Sequence, residues 1–116
     1  MSNPTATETK PVTHILSIKY CSRDQLDHMF DRAYELRDQR NSGIANDPIL
    51  KGKTLGMFFE KPSLRTRVSF EQGMIELGGN AIVLGQAEVG LGQRESVADF
   101  TRVMNGMVPG IAARVY

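Results

Sequence analysis

Thr54-Leu-Gly-Met-Phe-Phe59 runs straight into Glu60-Lys-Pro-Ser-Leu-Arg-Thr-Arg67, and this junction decides the fold. The first six residues form a short apolar run, which at that length reads as a buried strand and not a helix. Pro62 has no N–H to offer a sheet ladder, so the strand ends before it. A helix then starts at Ser63 or Leu64 and runs to about Leu77, where Gly78-Gly79 stops it. Its inward face is expected at Leu64, Val68, Ile75 and either Met74 or Leu77.

Downstream, the pattern repeats. Ala81-Ile-Val-Leu84 reads as a second buried strand, and Gly85 to Glu95 as a glycine-rich loop. Ser96 caps a further helix with Asp99 at N3, and Val97, Phe100, Val103, Met104 and Met107 form its apolar stripe. Pro109-Gly110 closes that helix, and Ile111 to Tyr116 returns as a third strand. Upstream, Ser22-Arg-Asp-Gln25 has the form of a capping box. Leu26, Met29, Phe30, Ala33 and Tyr34 follow as one helical stripe, opposite a charged face of Asp27, Asp31, Arg32, Glu35 and Asp38. Asn41-Ser42-Gly43 ends this helix. The order is that of an α/β fold: a parallel sheet flanked by helices in βαβ alternation, preceded by an N-terminal helix. Ligands collect at the carboxyl ends of such strands, which here are residues 60–67, 85–96 and whatever follows Tyr116.

Composition narrows the function classes. A length of 116 residues suits one domain and leaves little room for two substrate-binding lobes. The formal net charge of +1 argues against a dedicated nucleic-acid binder. A single cysteine, Cys21, excludes an internal disulfide and a thiolate zinc site, and with only two histidines, His14 and His28, a histidine-rich metal centre is not expected. Cys21 beside Tyr20 reads as a part-buried small residue. The polar start, residues 1–13, is expected to be a flexible arm before a domain at 14–116. It lacks the apolar core of a signal peptide, and no apolar run approaches the ~18 residues of a membrane span, so a cytoplasmic protein is expected.

Two nucleotide signals fail. Gly52-Lys53-Thr54 resembles the end of a phosphate-binding loop, but Asp47 stands where the first glycine belongs and a strand follows in place of a helix. Gly90-Leu-Gly92 lacks its third glycine, since position 95 is Glu95.

The strand-to-helix turn is different. Residues 60–67 concentrate Lys61, Ser63, Arg65, Thr66 and Arg67 at a helix N-terminus, where unpaired N–H groups and the positive end of the dipole favour a phosphate. Arg65 offers a two-pronged grip on phosphate oxygens, and Ser63 and Thr66 add hydroxyls. A capped helix with surface arginines is the plain alternative on composition alone. Cations in a first turn oppose the helix dipole, so both arginines require an anion nearby. Glu60 or Glu71 can serve Arg67, which makes Arg67 the structural arginine and Arg65 the ligand candidate.

Phe58-Phe-Glu-Lys-Pro-Ser-Leu-Arg-Thr-Arg-Val-Ser-Phe-Glu71 resembles the carbamoyl-phosphate signature of the aspartate/ornithine carbamoyltransferase family. Leu77-Gly-Gly79, Arg94-Glu-Ser96, Asp99 and Gly110-Ile-Ala-Ala-Arg114 fit the same family in order, and the Arg-Glu-Ser and Glu-Lys-Pro-Ser segments are more similar to its ornithine enzymes. The resemblance covers Ile15 to Tyr116 and implies the N-terminal carbamoyl-phosphate domain of a transferase. The activity it implies is carbamoyl transfer from carbamoyl phosphate to the δ-amine of ornithine, giving citrulline and phosphate, as in arginine biosynthesis. Aspartate or an acylated ornithine is the alternative acceptor, and a non-catalytic anion-binding or oligomerisation fragment is the alternative from another class.

The resemblance also implies roles. Ser63, Leu64, Arg65 and Thr66 match the positions that hold the phosphate, Leu64 through its backbone N–H. Arg114, at the end of the third strand, matches an arginine on carbamoyl phosphate; without the resemblance it reads as an edge arginine paired to a helix. Arg65, Thr66 and Arg114 are thereby the expected catalytic residues. Gly90 and Arg94 lie on a loop that, in related aspartate enzymes, reaches a neighbouring subunit's site. Gly90 departs from the Gln or Ser found there, and Gln86 or Gln93 stands nearby as a substitute. Leu64 departs from a common Thr. No metal and no cofactor is implied, and a homotrimer or a multiple of trimers is. The chain stops before the family's His-Pro-x-Gln segment, so the amino-acid-binding domain is expected to be absent. Catalysis is then implied for the parent protein and left open for these 116 residues alone.

Overall fold

The computed structural model describes residues 13–61, 63–85 and 96–115. The expected arm at 1–13 lies outside them except for Thr13, as does Tyr116, and the third strand, expected at Ile111 to Tyr116, is found at Gly110–Arg114. The chain divides into two units between Ala45 and Asn46.

The first unit holds a 3-10 turn, Ile18–Tyr20, and helix α1, Arg23–Asn41. The capping box forms: Gln25 N–H donates to Ser22 Oγ at 3.0 Å, and Ser22 N–H donates to Gln25 Oε1 at 2.9 Å. The helix ends in a Schellman motif, with Ile44 N–H on the Gln39 carbonyl and Gly43 N–H on that of Arg40. Along the apolar stripe, Leu26 and Met29 are half-buried while Phe30 and Tyr34 are exposed. The two rings stack at 6.5 Å, and the Arg37 guanidinium lies 4.9 Å from the Tyr34 centroid.

The second unit is the expected alternation: β1 Thr54–Phe59, α2 Leu64–Glu76, β2 Asn80–Leu84, α3 Val97–Met107 and β3 Gly110–Arg114. The sheet is fully parallel in the order β2-β1-β3. β1 is therefore central, and it holds the most buried apolar side chains, Met57 and Phe58, at 0% and 1% exposure. The chain steps from β1 to β2 in one direction and from β2 back across β1 to β3 in the other. Right-handed crossovers then put α2 and α3 on opposite faces.

α3 meets the face formed by Gly56 and Phe58. Phe100 packs its ring 5.8 Å from that of Phe58, and a Cβ added to Gly56 would stand 2.9 Å from Met104 Cε, so the missing side chain is what admits the methionine. α2 ends in a second Schellman motif, with Gly79 N–H on the Met74 carbonyl and Gly78 N–H on that of Ile75. Gly78 has φ +86°, and a Cβ there would come 2.7 Å from Pro48 Cβ, so both the backbone and the packing require glycine.

The expected inward faces are corrected in part. In α2, Met74 and Leu77 are half-buried as expected, but Leu64, Val68 and Ile75 are exposed, Leu64 at 74%. In α3, Phe100 and Met104 turn inward while Val97, Val103 and Met107 do not. The cause is geometric. Each helix carries apolar residues over a wider arc than three strands can cover, and periodicity reports the arc without saying which part meets the sheet.

Candidate functional site

β1 and β3 are parallel neighbours, so their carboxyl ends lie side by side: Phe59 pairs with Arg114, and Glu60 N–H donates to the Arg114 carbonyl at 3.0 Å, one step past the strand. The chain then turns into α2, whose N-cap is Ser63. This places the last residue of β3 beside the first turn of α2, and the two candidate segments, residues 63–66 and Arg114, come together.

Among the described residues, the three α-helix N-caps differ in one respect. Ser22 and Ser96 both accept the N3 backbone N–H on Oγ, from Gln25 at 3.0 Å and from Asp99 at 3.1 Å. Ser63 makes no side-chain cap. Its Oγ instead accepts from Arg114 Nη1 at 3.1 Å. The first-turn N–H groups of Leu64, Arg65 and Thr66 are thus left without a capping side chain, at the positive end of the helix dipole.

The arginines separate as their charges require. Arg67 Nε pairs with Glu71 Oε2 at 3.2 Å, one turn along the exposed face, so Glu71 is its partner and Arg67 is structural. Arg65 is exposed and has no side-chain partner among the described residues. Thr66 is half-buried, and its carbonyl accepts from Ser69 Oγ at 3.0 Å. Arg114 pairs with no carboxylate among the described residues; its observed partner is the serine and not the helix carboxylate of the plain reading. The Arg114 side chain, the Ser63 hydroxyl and the first-turn N–H groups of α2 therefore stand together at one helix end, with Arg65 in the same helical turn. That chemistry accepts a dianion such as a phosphate.

Gly90 and Arg94, with Gln86, Glu88 and Gln93, lie outside the described residues. Asp99 is a helix-start residue: it receives the Ser96 cap and pairs with Arg102 at 2.9 Å. Cys21 is half-buried and free. Among the described residues no group of three or more His, Cys, Asp or Glu side chains is placed to hold a metal, and no helix is long and apolar enough to cross a membrane. An open depression on α1 and the turn after it, lined by residues such as Asp31, Tyr34, Asp38 and Ile44, contains none of the candidate residues. The feature missed in the sequence is the Ser63–Arg114 contact. Its only sequence signal is that both residues sit at the carboxyl ends of strands expected to share a sheet.

Comparison with known proteins agrees with the fold. Residues 13–116 match the family model described as aspartate/ornithine carbamoyltransferase, carbamoyl-P binding domain. The chain is 46% identical over 105 residues to an anabolic ornithine carbamoyltransferase of Pseudomonas aeruginosa, covering 90% of this chain and 34% of the relative. It is 45% identical over 103 residues to the ornithine carbamoyltransferase of Halorhodospira halophila, covering 89% and 34%. The crystal structure of ornithine carbamoyltransferase from Thermus thermophilus superposes with a TM-score of 0.75 at 41% identity, over 88% of this chain and 34% of that one. The chain thus spans about a third of the length of the curated relatives it matches. On the family match and these identities, the chain belongs to the aspartate/ornithine carbamoyltransferase family, and residues 13–116 correspond to its carbamoyl-phosphate-binding domain.

Proposed function

We propose that the chain is the carbamoyl-phosphate-binding part of an ornithine carbamoyltransferase. The observation that carries this reading is the Arg114–Ser63 hydrogen bond, which joins a strand-end arginine to an uncapped helix N-terminus. In this reading the phosphate of carbamoyl phosphate sits on the N–H groups of Leu64, Arg65 and Thr66, with the Ser63 hydroxyl and the Arg65 guanidinium on its remaining oxygens. Thr66 and Arg114 polarise the carbamoyl oxygen.

The δ-amine of ornithine attacks the carbamoyl carbon and forms the new C–N bond. Negative charge develops on the carbonyl oxygen, where Arg114 stabilises it. The C–O bond to phosphate then breaks, the amine nitrogen loses its proton, and citrulline and phosphate leave. The phosphate is already an activated leaving group, so no metal or organic cofactor enters the scheme. Acceptor binding is assigned to the part of the parent protein that the relatives contain and residues 1–116 do not cover. A role in arginine biosynthesis belongs to the same proposal, supported by the anabolic relative, and a homotrimer or a multiple of it and a cytoplasmic location are carried in it from the sequence alone. The family description also names aspartate, which is the rival acceptor.

Calorimetric titration with carbamoyl phosphate tests the reading. Binding that inorganic phosphate competes away is expected, with no binding of ornithine by this chain. Absence of carbamoyl phosphate binding overturns the assignment. Formation of labelled citrulline by the chain alone overturns the division of labour, and carbamoylation of aspartate by the parent protein overturns the choice of acceptor.

A further inference from the structure

Ser63 stands at a helix N-cap and does not cap. Its backbone, at φ −142° and ψ 79°, departs from the conformation shared by the two capping serines, −69° and 159° at Ser22 and −71° and 154° at Ser96. A serine hydroxyl has one proton and two lone pairs. At Ser22 and Ser96 a lone pair goes to the N3 amide; at Ser63 it goes to Arg114 Nη1 at 3.1 Å. The proton of Ser63 Oγ remains to be donated, and so do the other N–H groups of Arg114.

Arg114 is meanwhile held at both ends. Its backbone is fixed by the register with Phe59 and by the Glu60 N–H on its carbonyl, and its exposed guanidinium donates to Ser63 Oγ. A long arginine side chain gives up much rotamer freedom when ordered. A tether that orders it beforehand removes that cost from anion binding.

We infer that Ser63 is a positioning residue for Arg114: it forgoes the N-cap of α2 to aim the guanidinium across the helix end, and by the same act leaves the α2 N–H groups open. This deepens the carbamoyl-phosphate reading and rests on it.

The test uses Ser63→Ala, Ser63→Thr and Ser63→Asp in the whole chain, with two readouts. The first is the NMR order parameter of the Arg114 Nε–H group without added anion. The second is calorimetric affinity for inorganic phosphate and for carbamoyl phosphate. Ser63→Ala is expected to lower the order of Arg114 without lowering the melting temperature, since no cap is lost, and to weaken phosphate binding about tenfold. Ser63→Thr keeps a hydroxyl and restores both order and affinity. Ser63→Asp supplies a strong cap and a charge for Arg114, so the melting temperature rises while phosphate binding is lost.

Loss of affinity alone would follow from a direct contact, so the order parameter is the deciding measurement. Unchanged Arg114 order in Ser63→Ala overturns the inference, and so does a fall in melting temperature as large as that of Ser96→Ala. If the unsubstituted chain binds neither phosphate nor carbamoyl phosphate, the function reading falls, and the role of Ser63 in anion binding falls with it. Intact Arg114 order would then show that the function reading failed for another reason.

Discussion

The Arg114 guanidinium donates to the Ser63 hydroxyl at 3.1 Å across 51 positions of sequence. One residue ends β3 and the other precedes α2, so the contact exists only because β1 and β3 are parallel neighbours in register at Phe59 and Arg114. It joins the end of β3 to the N-terminus of α2, and the exposed Arg65 lies in the first turn of that same helix.

Arg65→Ala should remove most phosphate-type binding with little effect on the fold. The side chain is exposed and without a partner among the described residues, so stability should change by less than about 0.5 kcal/mol. Loss of one charge-assisted contact corresponds to a weakening of about ten- to a hundredfold. Calorimetry with carbamoyl phosphate and urea unfolding check the two halves separately, and unchanged affinity would remove Arg65 from the site.

The serine caps make a matched set. Ser96→Ala and Ser22→Ala each remove a hydroxyl that accepts an N3 amide, and each should cost about 1 kcal/mol. Ser63→Ala, at the same helix position, should cost little because its hydroxyl makes no such bond. Urea midpoints of the three variants measured side by side decide the matter.

Gly78→Ala should destabilise by about 1–3 kcal/mol, because φ +86° is disfavoured for alanine and its Cβ would stand 2.7 Å from Pro48 Cβ. Gly52→Ala shares the positive φ, at +76°, but has open space around it, and should cost less. The difference between the two isolates the clash with Pro48.

Phe58→Ala should cost about 3–5 kcal/mol, since the side chain is 1% exposed on the central strand and packs on Phe100. For a small sheet with few buried side chains this is enough to abolish cooperative unfolding. A sharp transition retained by the variant in calorimetric scans would show that the core lies elsewhere.

Breaking Arg67–Glu71 should matter least. Both side chains are partly exposed and the pair spans one helical turn, so a double-mutant cycle should return about 0.3–0.5 kcal/mol, falling with added salt.

Much of the architecture was legible along the chain because local chemistry produces it. The Ser22 and Ser96 caps form as their spacing demands, the helices stop at Gly43 and Gly78, and the run at 54–59 becomes the central strand. The assignment of Arg67 to a carboxylate partner followed from dipole and charge alone, and the structure selects Glu71 over Glu60 by the i,i+4 geometry. Leu64, Val68 and Ile75 misled because an apolar stripe does not announce which surface covers it.

By itself, the sequence determined the elements, their caps and the concentration of donors at residues 60–67, since these depend on neighbours within about one helical turn. It also carried the family signature. The tertiary structure alone decided that β1 lies between β2 and β3, and hence that Arg114 reaches Ser63 and diverts its hydroxyl from the cap. Strand order is set by which faces and crossovers pack together over dozens of residues, and no local propensity encodes that distance.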